Sequence, residues 1–388
     1  MMNQSRDGLS CPIPHALPSR ITMQHGGGGR AMQKLIRDLF ARHLDNGALQ
    51  SGRDAATLPS TGGRIAFSTD SFVVRPVEFP GGNVGSLAVH GTVNDLAMAG
   101  ATPRYLSAGF ILEEGLALEV LDRVVRSMRD AADRAGVSVV TGDTKVIERT
   151  HGDGLIINTS GIGSIADQLE LGPSCVRQGD AILLNGDLGR HGIAVMAARE
   201  RLEFEPPVLS DSAPLAAVVA DLLSAGIRIR CMRDCTRGGL AAALNEIAEE
   251  AGLTFEVDER AVPVSEQVRG ACEILGLDPF HVACEGRFLA VVAEDDVDRA
   301  LRILEAHTST AVQPAAASPA AVQPEAASPT AVQPEAASPA AVQPAAATHP
   351  ASIGRVLPRG DVPVQLRSAI GVTRVLEQPS GEQLPRIC

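Results

Sequence analysis

Residues 64–70, RIAFSTD, read as a β-strand that runs into an acid, and residues 84–99, VGSLAVHGTVNDLAMA, read as a helix. Working outward, residues 119–135 have the apolar spacing of an amphipathic helix. Residues 137–140 make a short strand ahead of TGDTK, and 155–164 make another strand. The second half repeats the habit. After the turn-like Gln178-Gly179-Asp180 comes the buried-strand run 181–185 (AILLN), then a helix near 192–200, a strand at 231–234 ending in an acid, and a helix at 238–251. A composition shift around 172–179 separates two α+β halves. The expected organisation is a flexible N-terminus over 1–20, an α+β domain over 21–172, a second over 173–376, and a mobile tail over 377–388.

Composition narrows the function classes. The 388 residues carry 34 Lys+Arg against 46 Asp+Glu, a net charge of −12, which disfavours non-specific binding to a phosphate backbone. With no Trp, one Tyr and 3% aromatic residues, the chain also lacks stacking platforms for single-stranded nucleic acid. No stretch is apolar enough to span a membrane, and residues 1–18 have no apolar core of a signal peptide. Seven scattered cysteines are no secreted disulfide framework, so reduced thiols and a cytoplasmic location are expected. Cys231 and Cys235 have no second pair, so a zinc site is not expected.

One segment is unlike the rest. From Ala311 to Pro350 a ten-residue unit of the type AVQPEAASPA occurs four times, with 16 Ala and 8 Pro. Proline at this frequency forbids a continuous helix, and one Val per unit is too little apolar surface to offset ordering entropy. The insert is expected to be an extended, disordered tether on the surface. Deleting residues 311–350 is expected to leave catalytic activity intact; a large fall in rate would count against that.

The candidate chemistry lies in short motifs. His25-Gly26-Gly27-Gly28-Gly29-Arg30 precedes a helix-like run, so the backbone can approach a phosphate there, although the spacing is neither a Walker A loop nor G-x-G-x-x-G and a flexible linker reads equally well. Four acids read as residues at strand ends: Asp70, Asp95, Asp143 and Asp234. Each alone suits a helix cap or turn; together they suit Mg²⁺–nucleotide binding by oxygen ligands that leave positions for phosphates. Lys145 can reach a phosphate or polarise a carbonyl. Glu285, in Cys284-Glu285-Gly286-Arg287, is a candidate general base or else a turn acid paired with Arg287. Cys388 ends the chain, and a thiol at a mobile end can carry a group into a second site; an accident of where the chain stops is the plainer alternative.

Together, HGGGGRAMQKLI, STDSFVVRPVEFPGGNVGSLAVHGTVNDLAMAGA, TGDTKV, RDCTRGGLAAALNEIA, HVACEGR and the terminal PRIC resemble the HypE family of hydrogenase maturation factors. The blocks other than PRIC are shared with the wider group of aminoimidazole-ribotide synthetase-like, ATP-using enzymes. The resemblance implies a two-domain α+β fold of that type and a homodimer with ATP near the dimer interface. It implies ATP-dependent dehydration of a carbamoyl group on the terminal cysteine to a thiocyanate. The carbamoyltransferase HypF would be the donor and a HypC–HypD complex the acceptor of the cyanide destined for the iron of [NiFe]-hydrogenase. Carried onto this chain, Asp70, Asp95, Asp143 and Asp234 would hold Mg²⁺. Gly26, Gly27, Gly28, Gly29, Asn94, Gly142, Asp143 and Thr144 would bind the nucleotide, and Cys388, Glu285 and Lys145 would be catalytic. Where members of the family commonly read Ala-Asn-Glu-Gly, this chain has Cys284, which puts any role for a side-chain amide there in doubt.

Two rival readings share these residues. A kinase or synthetase acting on a free small molecule has no need of Cys388. A non-catalytic thiol carrier would bind nucleotide without turnover.

Overall fold

The computed structural model describes residues 19–27, 30–46, 56, 58–59, 63–150, 152–310, 349–378, 384 and 386–388. The expectations for residues 1–18, for Gly28 and Gly29 and for residues 311–348 of the insert lie outside them.

The first half contains helices α1 (Arg30–Leu35) and α2 (Ala41–Leu44), joined by wider π-type turns over Ile36–Phe40. Then come strands β1 (Arg64–Phe72), β2 (Glu78–Phe79) and β3 (Gly82–Asn83), helix α3 (Val84–Met98), β4 (Thr102–Glu113), α4 (Leu118–Ala135), β5 (Ser138–Ile147) and β6 (Leu155–Ile165). Strands β1, β6, β4 and β5 form one sheet in that order. Its two faces differ. On the inner face Phe72, Phe110 and Ile157 are buried against α3 and α4 through Leu87, Leu121, Val124 and Met128. On the outer face Ile65 and Phe67 are 68% and 67% exposed, and Ile111 is exposed as well.

Helix α3 starts where Asn83 caps it: the Asn83 Oδ1 accepts from the N–H groups of Gly85 (2.9 Å) and Ser86 (3.2 Å). It is buried on almost every side, because it lies between the first sheet and the second domain. Helix α4 has one apolar stripe and closes with Gly136 in the left-handed conformation (φ 68°). The expected strand over 137–140 is longer in the structure. TGDTK, expected to follow the strand, lies inside β5, the edge strand of the sheet.

The second half contains β7 (Ala181–Leu184), α5 (Arg190–Glu200), α6 (Ala216–Ser224), β8 (Ile229–Asp234), α7 (Gly239–Ala251), β9 (Thr254–Asp258) and α8 (Glu266–Leu275). It continues with β10 (Phe288–Val292), α9 (Val297–Thr310), β11 (Ala351–Leu357), β12 (Val364–Arg367) and β13 (Thr373–Val375). These strands make a seven-stranded sheet in the order β13-β12-β9-β11-β7-β10-β8. Both β7 and β10 are buried at every residue. One face packs on α7 through Leu240, Leu244 and Ile247; the other packs on α6 and α9 through Val219, Leu222 and Leu304. The insert leaves the chain after α9, and the chain returns as β11 in the interior of this sheet.

Candidate functional site

Asp70, Asp95 and Asp234 converge where the two domains meet. Asp70 lies on β1 with its side chain toward α3, and its Oδ1 accepts from the Ser71 N–H at 3.0 Å. Asp95, expected at a strand end, is instead in α3, and its Oδ2 accepts from the Ser68 hydroxyl at 2.7 Å. Asp234 ends β8 as expected. All three are pushed up: Asp70 by burial alone, Asp95 by burial and then the Asp70 charge, and Asp234 to about 6 by burial and then the Asp95 and Asp70 charges. Among the described residues no group of three such side chains closes to the spacing of a ready metal shell.

Glu285 completes this cluster. It is 2% exposed, and its Oε1 has no hydrogen-bond partner. Burial, followed by the charges of Asp234, Asp211, Asp70 and Asp95, holds its carboxyl well above the usual range. The Glu285–Arg287 turn pair considered from the sequence does not form. Arg287 donates instead to the Asp187 carboxylate (2.8 Å) and to the Asp187 and Gly286 carbonyls, and it lies 3.8 Å from Asp211. Gly286 must be glycine, since a Cβ there would collide with the Asp211 carbonyl.

Asn94, expected among the nucleotide ligands, has both ends of its amide engaged by the second domain. Its Nδ2 donates to the carbonyls of Ala213 and Glu285, both at 3.1 Å, and its Oδ1 accepts from the Leu215 N–H at 2.8 Å. The amide ties α3 to the second domain and holds the Glu285 backbone. Cys284 is buried and faces the core. Its sulfur accepts from the Gly189 N–H at 3.1 Å, where Gly189 has φ 79°.

The terminal cysteine lies at the same cluster. Burial, then the nearby Glu285 charge, pushes the Cys388 thiol up to about 12, opposed by a hydrogen bond from Arg237. Ile387 is 2% exposed in an apolar cluster that spans the domain junction and includes Val195 and Ala283 of the second half. In the structure the tip of the stretch expected to be a mobile tail is docked.

Asp143 and Lys145 are not brought to this cluster within one chain. The cross-strand row Ser71–Asn158–Gly109–Asp143 and the Lys145–Ile111–Ile156 row lie on the outer face of the sheet. Strands β5 and β1 are at opposite edges, three strand spacings or about 14 Å apart. Thr144 alternates to the inner face and is buried, while Gly142 is exposed. The described part of the glycine stretch lies on this same edge. A Cβ on Gly26 would come within 2.7 Å of the Val146 nitrogen, so glycine there lets the stretch rest on β5. The expected constellation is thus divided into two groups: Asp70, Asp95, Asp234, Glu285 and Cys388 in one, and Gly26, Gly27, Gly142, Asp143 and Lys145 in the other.

Sequence reasoning passed over Asp211, His191, Asp153 and Arg237. The first three stand in no motif, and Arg237 sits unremarked inside RDCTRGG; the position of the last three beside the tail is visible only after folding.

Residues 52–165 match the family described as AIR synthase related protein, N-terminal domain, and residues 177–317 match its C-terminal domain. Carbamoyl dehydratase HypE of Rhizobium leguminosarum bv. viciae is 45% identical over 370 residues, which cover 95% of each chain. The crystal structure of hydrogenase maturation protein HypE in complex with ATP superposes with a TM-score of 0.81 at 43% identity, over 94% of this chain and 99% of that one. The corresponding chain in a HypE–HypF complex gives 0.69 at 38% identity, over 89% and 99%.

Proposed function

The chain belongs to the HypE family of carbamoyl dehydratases, and from that premise we propose that it uses ATP to dehydrate a carbamoyl group carried on its own Cys388. The product is a thiocyanate whose cyanide becomes a ligand of the [NiFe]-hydrogenase iron. The observation that carries this reading is the placement of the terminal thiol beside Glu285 and Asp70.

The chemistry follows from the groups present. A carbamoyl oxygen is a poor leaving group until it is phosphorylated. The oxygen attacks the γ-phosphorus and ADP leaves; Glu285 takes one N–H proton as the C=N bond forms. The C–O bond then breaks, phosphate departs, and the second N–H proton is released, leaving S–C≡N. The oxygen removed from the carbamoyl group ends in phosphate. The orphaned Oε1 of Glu285 suits this role, because a carboxylate desolvated among acids is a stronger base than one in water.

Asp70, Asp95 and Asp234 would hold Mg²⁺. The repelling, desolvated carboxylates fit a hard cation that keeps most of its positions for water and phosphate oxygens. When bound, it supplies charge neutralisation at the phosphates, and its charge also eases ionisation of Glu285. Arg237 hydrogen-bonds the thiol and so lies where charge on the carbamoyl oxygen develops.

The second group of residues is supplied by another copy of the chain. In a homodimer the exposed apolar outer faces of β1 and β4 cover each other. Asp143, Lys145 and the glycine stretch on the β5 edge of one copy then serve ATP bound at the acids of its partner. Asn94 acts indirectly, by fixing the Glu285 backbone. HypF is the carbamoyl donor, as the HypE–HypF complex of a relative suggests, and a HypC–HypD complex is the acceptor. The six described cysteines are all free thiols, which suits a cytoplasmic enzyme, and no described helix is long and apolar enough to cross a membrane.

The test is intact mass and C-terminal peptide mapping after incubation with the carbamoyltransferase, carbamoyl phosphate and MgATP. A carbamoyl adduct on Cys388 that loses one water only with ATP is expected. An adduct that persists would leave a carrier, and no adduct at all would point to a free-substrate ATP enzyme.

A further inference from the structure

The last three residues are held by more than burial of Ile387. The Ile387 carbonyl accepts from the His191 Nε2–H at 2.9 Å. A carbonyl can only accept, so Nε2 carries the proton and Nδ1 accepts in turn from the Ser210 hydroxyl at 2.8 Å. Ser210 Oγ is fixed by the Ser212 N–H at 3.1 Å. The Arg386 carbonyl receives the Arg199 Nη2–H at 2.7 Å and the Arg75 N–H at 3.2 Å. The Arg386 guanidinium pairs with Asp153 at 2.7 Å, and Arg75 stands 3.8 Å from the same carboxylate. Arg386 itself is at φ 58°, a backbone conformation that an L side chain rarely adopts and that persists only where its surroundings impose it.

We propose that His191, Arg199 and Asp153 are positioning residues that form a seat for the terminal Arg-Ile-Cys and set the register in which the Cys388 thiol faces Glu285. The role in catalysis rests on the reading of Cys388 as the carrier; the seat itself does not.

The contacts divide the work. Two backbone carbonyls set the register, the Arg386 charge selects the sequence, and Ile387 fills an apolar recess between the domains. Helix α5 contributes His191 and Arg199 from the second domain, whereas Arg75 and Asp153 come from the first. The tip therefore bridges both domains, and one residue of slip would remove the thiol from Glu285. Because accepting a group from a partner protein needs the tail out and dehydration needs it in, weakening the seat moves the two in opposite directions.

The test uses the full-length chain and reads two rates. The first is alkylation of unmodified Cys388 by iodoacetamide, followed by C-terminal peptide mapping, which requires no catalysis. The second is the first-order loss of water from preformed carbamoyl-Cys388 at saturating MgATP. Asp153→Asn is expected to raise the alkylation rate about fivefold and to lower the dehydration rate by a similar factor, as for loss of one half-exposed charged hydrogen bond. Arg386→Ala and Ile387→Ala change only the tail, so the folded domains are left intact, and both should act in the same direction. The exchange Asp153→Arg with Arg386→Asp should restore protection. Unchanged alkylation in all three single variants, or an exchange that restores nothing, would overturn the seat. Failure of Cys388 ever to carry a carbamoyl group would instead defeat the carrier reading and leave the alkylation result to decide the seat.

Discussion

Glu285 and Asp234 are carboxyls whose folded environment opposes their charge, and each has a pH signature. Glu285 acts as a base only when ionised, so the dehydration rate of carbamoyl-Cys388 should rise with pH as the raised Glu285 group loses its proton. Glu285→Gln should lower the rate by at least about a hundredfold and flatten the profile. A variant with near-normal, pH-dependent dehydration would remove Glu285 from the role. For Asp234 the sign is the reverse of a salt-bridged aspartate. Its folded value is about 6 against an ordinary 3.8, so the native state binds the extra proton between those values, and stability falls as pH rises through that window. Without metal, Asp234→Asn should therefore stabilise the protein at pH 8 by roughly 3 kcal/mol and have little effect near pH 4. Denaturant melts of both proteins at the two pH values measure this; equal stabilities at pH 8 would mean that the carboxylate is better solvated than its surroundings indicate.

At the scale of elements, α3 brings the domains together at the site. Asn94 spends both amide groups on the second domain, so Asn94→Ala leaves two carbonyls and one N–H without partners. The expected cost is about 3 kcal/mol in a denaturant melt, with a loss of dehydration greater than the loss of ATP binding. Much of this level was legible in the sequence. Residues 84–99 read as a helix, RIAFSTD as a strand running into an acid, and AILLN as a short buried apolar strand after a turn. TGDTK did not read as strand, because its central Gly142 and Asp143 are residues depleted from strands and common in turns. They are tolerated in β5 because an edge strand pairs on one side only and keeps Asp143 and Lys145 in solvent. Asp95 read as a strand-end acid because a motif gives proximity along the chain and not the element that carries it.

At the scale of the whole molecule, the motifs named from the sequence fall into two groups, one at the domain junction beside β1 and the other on the opposite, β5 edge of the first sheet. Linear order could not show this, since a strand's edge position is decided by long-range pairing. If the two groups work across a homodimer, a mixture of Lys145→Ala and Glu285→Gln chains should recover dehydration. Random exchange gives mixed dimers, each with one intact site, so about a quarter of the wild-type rate is expected. No recovery in verified mixed dimers would place both residues in one chain's site.

The place of the insert bears on how the protein is made. β11 lies between β9 and β7, with hydrogen-bonded partners on both sides, yet it is synthesised after the whole Ala/Pro segment. Until residue 357 has emerged, β7 and β9 face each other across an empty strand position about 10 Å wide, each with an unpaired edge. Lengthening that connection adds little loop entropy, since the cost grows only with the logarithm of length, but it prolongs the interval during translation when the gap is open. A chain stalled or cleaved within the repeat would keep that template for strand addition, so the insert is tolerable in the finished protein and hazardous in the nascent one.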